Sequence, residues 1–182
     1  MAINWIETDR LILRPLTYDQ LLKYAKCDNV LETELNLKAS SRSISEELRE
    51  ALEQTILPNV ADASKNYLYS TIWTAISKDE NRMVADLCFY GEPNTDGEIE
   101  IGYGTYNDCQ NRGFMTEIVG GIVKWVETQI GISSIIASTD KTNVASFKVL
   151  EKNGFVKVGE SYTLFNGKFY PSSKSNLIKY SQ

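Results

Sequence analysis

The chain of 182 residues contains no histidine. That absence removes Ser-His-Asp and Cys-His nucleophilic catalysis, histidine-ligated zinc and the usual proton shuttle near neutral pH. Acid-base chemistry must rest on carboxylates, Lys, Tyr, Cys or water. Cysteine is scarce too: Cys27, Cys88 and Cys109 are far apart and form no CxxC pair. Neither a metal site nor a thioredoxin-type motif is expected, and the odd, sparse count fits a reducing compartment. Long apolar runs are missing, and Glu7 and Asp9 interrupt the start. The expectation is therefore no membrane span, no secretory leader and a cytoplasmic location. A net charge of -5 argues against non-specific nucleic-acid binding and mildly favours a cationic partner.

With 42% hydrophobic and 24% charged residues the composition is that of a globule, and the length suits one domain over residues 1–182. Arg10 to Leu16 reads as a strand with Leu11 and Leu13 on one face. Thr17-Tyr-Asp-Gln20 and Ser43-Ile-Ser-Glu46 match the capping box and predict two helix starts, the second helix stopping at Pro58. Tyr67 to Ile76, Met83 to Tyr90 and Glu98 to Tyr106 read as an antiparallel meander. A long amphipathic helix is expected from about Gly113 to Ile130, with Met115, Ile118, Val119, Ile122, Val126 and Ile130 on one stripe. Gly120-Gly121 in its middle suggests close packing on the sheet. Ser134 to Ser138 reads as a buried strand, Asn143 to Lys152 as a helix closed by Asn153-Gly154-Phe155, and Phe155 to Gly159 as a strand. A last hairpin turns at Asn166-Gly167 and ends in Leu177 to Tyr180. The order predicts a mixed α/β (α+β) domain, a mostly antiparallel central sheet flanked by helices.

The most informative stretch runs from Glu98 to Glu117, where a strand enters a loop, Gln110-Asn-Arg-Gly113, and a helix begins. Unpaired N–H groups and the positive dipole end make that junction an anion site suited to phosphates. The stretch is neither a Walker loop nor a Rossmann fingerprint. Gln110-x-x-Gly113-x-Met115 resembles the pyrophosphate loop of the GNAT N-acetyltransferases. Glu100-Ile-Gly-Tyr103, Asn143-x-x-Ser146, Val149 to Phe155 and the opening Thr8 to Arg14 are similar to landmarks of their ribosomal-protein N-terminal acetyltransferase branch. Two departures are Met115, where the family usually has Gly or Ala, and Tyr170-Pro171 in place of an aromatic-Asp pair.

The resemblance implies a GNAT fold, acetyl-CoA as donor and a primary amine as acceptor, either a protein N-terminus or a small molecule. It implies phosphate contacts around Gln110, Asn111, Arg112, Gly113, Phe114 and Met115, and backbone contacts to pantetheine and thioester along Ile101, Gly102, Tyr103 and Gly104. By the same analogy Asn143 grips the pantetheine and Ser146 serves the sulfur. Glu98 and Glu100 share one face of their strand; Glu100 stands where GNAT enzymes often carry the base, although a polar strand face explains both residues equally. Asn143 is also a good helix cap, and Ser146 can bond locally. A monomer or a homodimer is equally compatible. The alternative is a non-catalytic acyl-CoA-binding or regulatory domain on the same fold.

Overall fold

A computed structural model describes the backbone of residues 5–165 and 168–181, with side chains described outside 160–177. Alternation does most of the work in the first half. Strand β2 (Leu11–Pro15) buries Leu11 and Leu13 completely, with β1 (Ile6–Glu7) paired along its edge. Strands β3 (Ile72–Ser77), β4 (Arg82–Phe89) and β5 (Glu98–Thr105) form the expected meander. Tyr67–Tyr69, expected within the first of these strands, forms a 3₁₀ turn capped by the Asn66 side chain. That local bond competes with strand pairing.

The Thr17 capping box opens helix α1 (Tyr18–Lys26), and a short α2 (Val30–Glu34) follows that no caps announced. The next helix starts later than expected: α3 (Glu46–Ala51) is capped by Ser45, whose hydroxyl accepts from the Leu48 N–H. It does not stop at Pro58. A π-helical turn, Leu52–Ile56, leads into α4 (Leu57–Ala61), with Pro58 in the first turn of α4, where its missing N–H costs nothing. Helix α5 (Phe114–Val126) buries Met115, Ile118, Val119, Ile122 and Val126 as predicted, but Ile130 lies beyond its end and is fully exposed. Around Trp125 the core is aromatic, with Trp73, Phe89 and Tyr69 within 5.9 Å, centroid to centroid.

The glycine pair in α5 has a packing reason. A Cβ on Gly121 would meet Thr8 Cγ2 at 2.9 Å, and one on Gly120 would meet Asn153 Oδ1 at 2.9 Å. One glycine lets the strand end approach, the other lets the loop after α6 approach. Strand β6 (Ser134–Asp140) pairs parallel to β5, and α6 (Val144–Lys152) ends with Gly154 at φ 82°. The Phe155 N–H donates to the Leu150 carbonyl and that of Gly154 to Glu151, a Schellman closure. Strands β7 (Val156–Phe165) and β8 (Lys168–Ser181) form the terminal hairpin. The Asn166-Gly167 turn and the Tyr170-Pro171 side chains lie outside the described residues. The sheet order is β1-β2-β3-β4-β5-β6-β8-β7, antiparallel except at β5–β6, so the mostly antiparallel sheet with flanking helices is as expected.

Candidate active site

The two parallel strands part company midway. β5 and β6 pair from Glu98/Ser134 to Ile101/Ala137, yet β5 runs on to Thr105 and β6 to Asp140. The register with β4 shows which backbone groups this leaves free. The Tyr90 N–H donates to the Glu100 carbonyl, and the Tyr106 N–H donates to the Val84 carbonyl. Even-numbered residues of β5 therefore turn their backbone toward β4, and odd-numbered ones toward β6. Ile101 meets β6, whereas Tyr103 and Thr105 present N–H and C=O to the gap. Of the expected backbone contacts at 101–104, the N–H aimed at the opening is that of Tyr103.

Helix α5 starts at this gap, and its start differs from those of α1, α3 and α6. Those three are capped by Thr17, Ser45 and Asn143 side chains; α5 begins at Gly113, φ 76°, with no side-chain cap. Its first N–H groups are the orphan donors of a helix end. Only glycine takes that left-handed turn without strain, which accounts for the Gly of the loop motif. A groove of about 810 Å³ runs from this helix start to α6, lined by Tyr103, Gly104, the loop from Gln110 to Met115, Asn143 and Ser146. Ten of the sequence-predicted residues thus share one groove. Met115, the departure from the family pattern, is only 6% exposed and leaves the loop backbone unobstructed.

Other assignments shift. The Arg112 guanidinium is held by Glu80 and stacks over Phe114, 4.6 Å from the ring centroid. A phosphate would have to compete with Glu80 for it. Lys148 and Lys152, four apart on α6, also line the groove and were missed, because a lysine on a helix carries no signal of what it faces. The loop is tied from behind. Glu117 Oε1 accepts from the Thr8 hydroxyl at 2.6 Å and the Arg10 N–H at 2.7 Å, and Oε2 accepts from Arg10 Nε at 2.7 Å. Arg10 Nη1 then donates to the Arg112 carbonyl at 3.0 Å.

Asn143 caps α6, its Oδ1 accepting from the Ser146 N–H at 3.0 Å. The Ser146 hydroxyl lies 3.0 Å from the Tyr103 hydroxyl. Burial pushes the Tyr103 phenol up, so it stays a protonated donor at neutral pH. Glu98 is engaged elsewhere: Lys179, at 2.8 Å, and Asn94 hold its carboxyl below the usual range. Glu100 accepts from the Ser138 hydroxyl at 3.1 Å through Oε1 and does not line the groove. Burial pushes the Cys109 thiol up, which leaves no ready nucleophile at the loop.

The glycines of β5 divide. A Cβ on Gly102 would strike the Tyr90 phenol at 2.6 Å, so its missing side chain makes room for that ring. Gly104 has nothing within 4 Å and faces open space. Beside it lies a second pocket, about 300 Å³, which shares Tyr103, Gly104 and Thr105 with the groove. At this second pocket stands a cluster that the sequence did not reveal. Asp86 Oδ2 accepts from the Tyr24 hydroxyl at 2.7 Å and the Tyr106 hydroxyl at 2.8 Å.

The description "Acetyltransferase (GNAT) domain" matches residues 10–156. The uncharacterized N-acetyltransferase YjdG of Bacillus subtilis (strain 168) is 27% identical over 154 residues, 83% of this chain and 89% of that protein. YoaA of the same organism, also an uncharacterized N-acetyltransferase, is 27% identical over 177 residues, 96% of each chain. Among solved structures, RimL, a ribosomal L7/L12 alpha-N-protein acetyltransferase in complex with coenzyme A, superposes with a TM-score of 0.66 at 17% identity, covering 98% of both chains. The splayed strands, the uncapped helix start and the family match agree, and this chain belongs to the GNAT family of N-acetyltransferases.

Proposed function

We propose that this N-acetyltransferase passes the acetyl group of acetyl-CoA directly to a primary amine, with both bound at once on either side of Gly104. The observation that carries the reading is the parting of β5 and β6 beside an uncapped helix start. Bound acetyl-CoA supplies an activated thioester carbonyl. The orphan N–H groups at the start of α5, with Lys148 and Lys152, hold its phosphates, and the free backbone of Tyr103 and Thr105 holds the pantetheine in place of a strand. The Tyr103 N–H polarises the carbonyl as its oxygen gains charge.

An alkylammonium with a pKa near 10 is about one part in a thousand neutral at pH 7, so a proton must leave before attack. Glu100 takes it. Its side chain shares a face with Gly102 and Gly104, its Cα roughly 7 Å along the strand from that of Gly102, and the proton reaches it through water. Glu100 passes that first proton to solvent; as the C–N bond forms and the C–S bond breaks, nitrogen loses a second proton, which balances the one gained by the leaving thiolate. Ser146, held by Tyr103, donates a hydrogen bond at the sulfur. Orientation supplies much of the remaining rate.

The test is a panel of amines with thiol detection and mass spectrometry of the product. Transfer to nitrogen with thiol release is expected, and Glu100→Gln removes about 100-fold of it while acetyl-CoA affinity is kept. Binding of acetyl-CoA without thiol release for any amine would return the chain to the non-catalytic alternative.

A further inference from the structure

Asp86 carries more chemistry than the fold needs of it. It lies on β4 opposite Gly104, and among the described residues lining the 300 Å³ pocket it is the sole formal charge. No Lys or Arg lines that pocket among them. Among the described residues Asp86 has no ion-pair partner. The nearby Arg42 is spent on Glu32: the two side chains are each 2% exposed and lie 3.1 Å apart, with the guanidinium over the Tyr24 ring. The donors to Asp86 are neutral hydroxyls. Its Oδ2 takes both phenols, and its Oδ1, closed to water, faces the hydroxyl of its cross-strand neighbour Thr74, which pulls the carboxyl down. A buried carboxylate in that state is hydrogen-bonded but has no paired positive charge. Burial pushes its pKa up against the pull of the Tyr24, Tyr106 and Thr74 hydroxyls and the more distant Arg42 charge, which is the cost a positive partner would offset. Four tyrosines, Tyr24, Tyr90, Tyr103 and Tyr106, stand in the rest of the wall, and aromatic rings accept an ammonium well.

We propose that Asp86 anchors the acceptor's ammonium group, and that the pocket takes primary amines with no carboxylate beside the amino group. The inference rests on the acetyl-transfer reading and narrows its acceptor. A free amino acid would carry its carboxylate into a pocket that offers an anion no partner and already holds one. A decarboxylated amine, or an N-terminus whose carboxyl is an amide, brings only the positive charge. Like charge at this distance works against the zwitterion, and the ion pair works for the amine. The two phenols fix the carboxylate, so the anchor is preorganised.

Calorimetric titration separates the ideas, using the full chain saturated with desulfo-CoA, which cannot react. Tyramine is compared with tyrosine, and alaninamide with alanine. The expected result is that each amine binds at least tenfold tighter than its carboxylate partner, and that Asp86→Asn, which keeps the shape and an acceptor for the tyrosines, loses at least tenfold for the amines with desulfo-CoA affinity unchanged. Equal binding within either pair, no binding of any amine, or unchanged affinity in Asp86→Asn overturns the anchor. The within-pair comparison needs no variant, so it stands even if Asp86→Asn fails to fold. Amine binding without acetyl transfer from acetyl-CoA would instead fail the enzymatic reading and leave the pocket assignment intact.

Discussion

Glu117 offers a perturbation whose size can be worked out from its contacts. Its carboxylate gathers the Thr8 hydroxyl, the Arg10 N–H and the Arg10 guanidinium, and so joins β2's entry to the helix that follows the loop at residues 110–113. Glu117→Gln keeps an acceptor for two of these donors but turns an amide toward the guanidinium. A hydrogen bond to a charged group contributes roughly 1.5–3 kcal/mol, and the 43% exposure of Arg10 argues for the lower part of that range. A loss of about 2 kcal/mol lowers Tm by about 4–8 °C for a chain of this size. The pH dependence gives a sharper signature. Burial alone would raise the Glu117 carboxyl; Thr8 and Arg10 outweigh it, and the folded pKa falls below the ordinary 4.5. A depressed carboxyl stabilises fully above its unfolded pKa and loses that contribution as pH falls through the folded value. The Tm gap between wild type and Glu117→Gln, read by circular dichroism, is therefore constant from neutral pH down to about pH 5.5 and shrinks at pH values below 4.5. A gap below 1 °C at neutral pH, or one that does not narrow in acid, would refute the tether.

Three further expectations follow from other contacts. A Cβ on Gly104 meets no protein atom within 4 Å, so Gly104→Ala changes Tm by less than about 2 °C, whereas thiol release falls because the new methyl stands between groove and pocket; full activity would remove Gly104 from the reaction path. Ser146→Ala lowers kcat about 10- to 100-fold and Tyr103→Phe less, both with acetyl-CoA affinity kept, as steady-state kinetics with calorimetry would show; equal kcat in all three proteins would end their role at the sulfur. Gly121→Ala presses on Thr8 Cγ2 and costs about 1 kcal/mol net of the helix gain, visible in urea unfolding, and a stabilised variant would contradict the close approach.

Much of this was legible in the sequence, because local chemistry set it. The Thr17 capping box, the alternation of Leu11 and Leu13, the α5 stripe and the Gly154 closure each depend on neighbours within a few residues. Where two local signals competed, reading was harder. Ser43 and Ser45 both offer a cap and the second holds it, and Pro58 reads as a stop unless a π turn precedes it. The groove at Gln110 to Met115 was legible for a similar reason, since a loop and the helix after it are contiguous. Long-range partners were not. Tyr24, Asp86 and Tyr106 come from three elements and meet only through sheet register, and Glu80 reaches Arg112 across the end of the β3–β4 turn. The ring that Gly102 accommodates was hidden for the same reason, because it belongs to the neighbouring strand. The missing histidines leave the proposed proton transfer to a carboxylate or water, and with Glu98 paired to Lys179, Glu100 is the carboxylate that remains unpaired with a cation on that strand face.

The central claim is that the groove between the parted strands and the start of α5 binds the acyl donor. Calorimetric titration of the purified chain with acetyl-CoA tests it most directly. Saturable binding at one site per chain, with Kd between about 1 µM and 1 mM, is the predicted result. Absence of any binding at millimolar acetyl-CoA by a folded chain would contradict it.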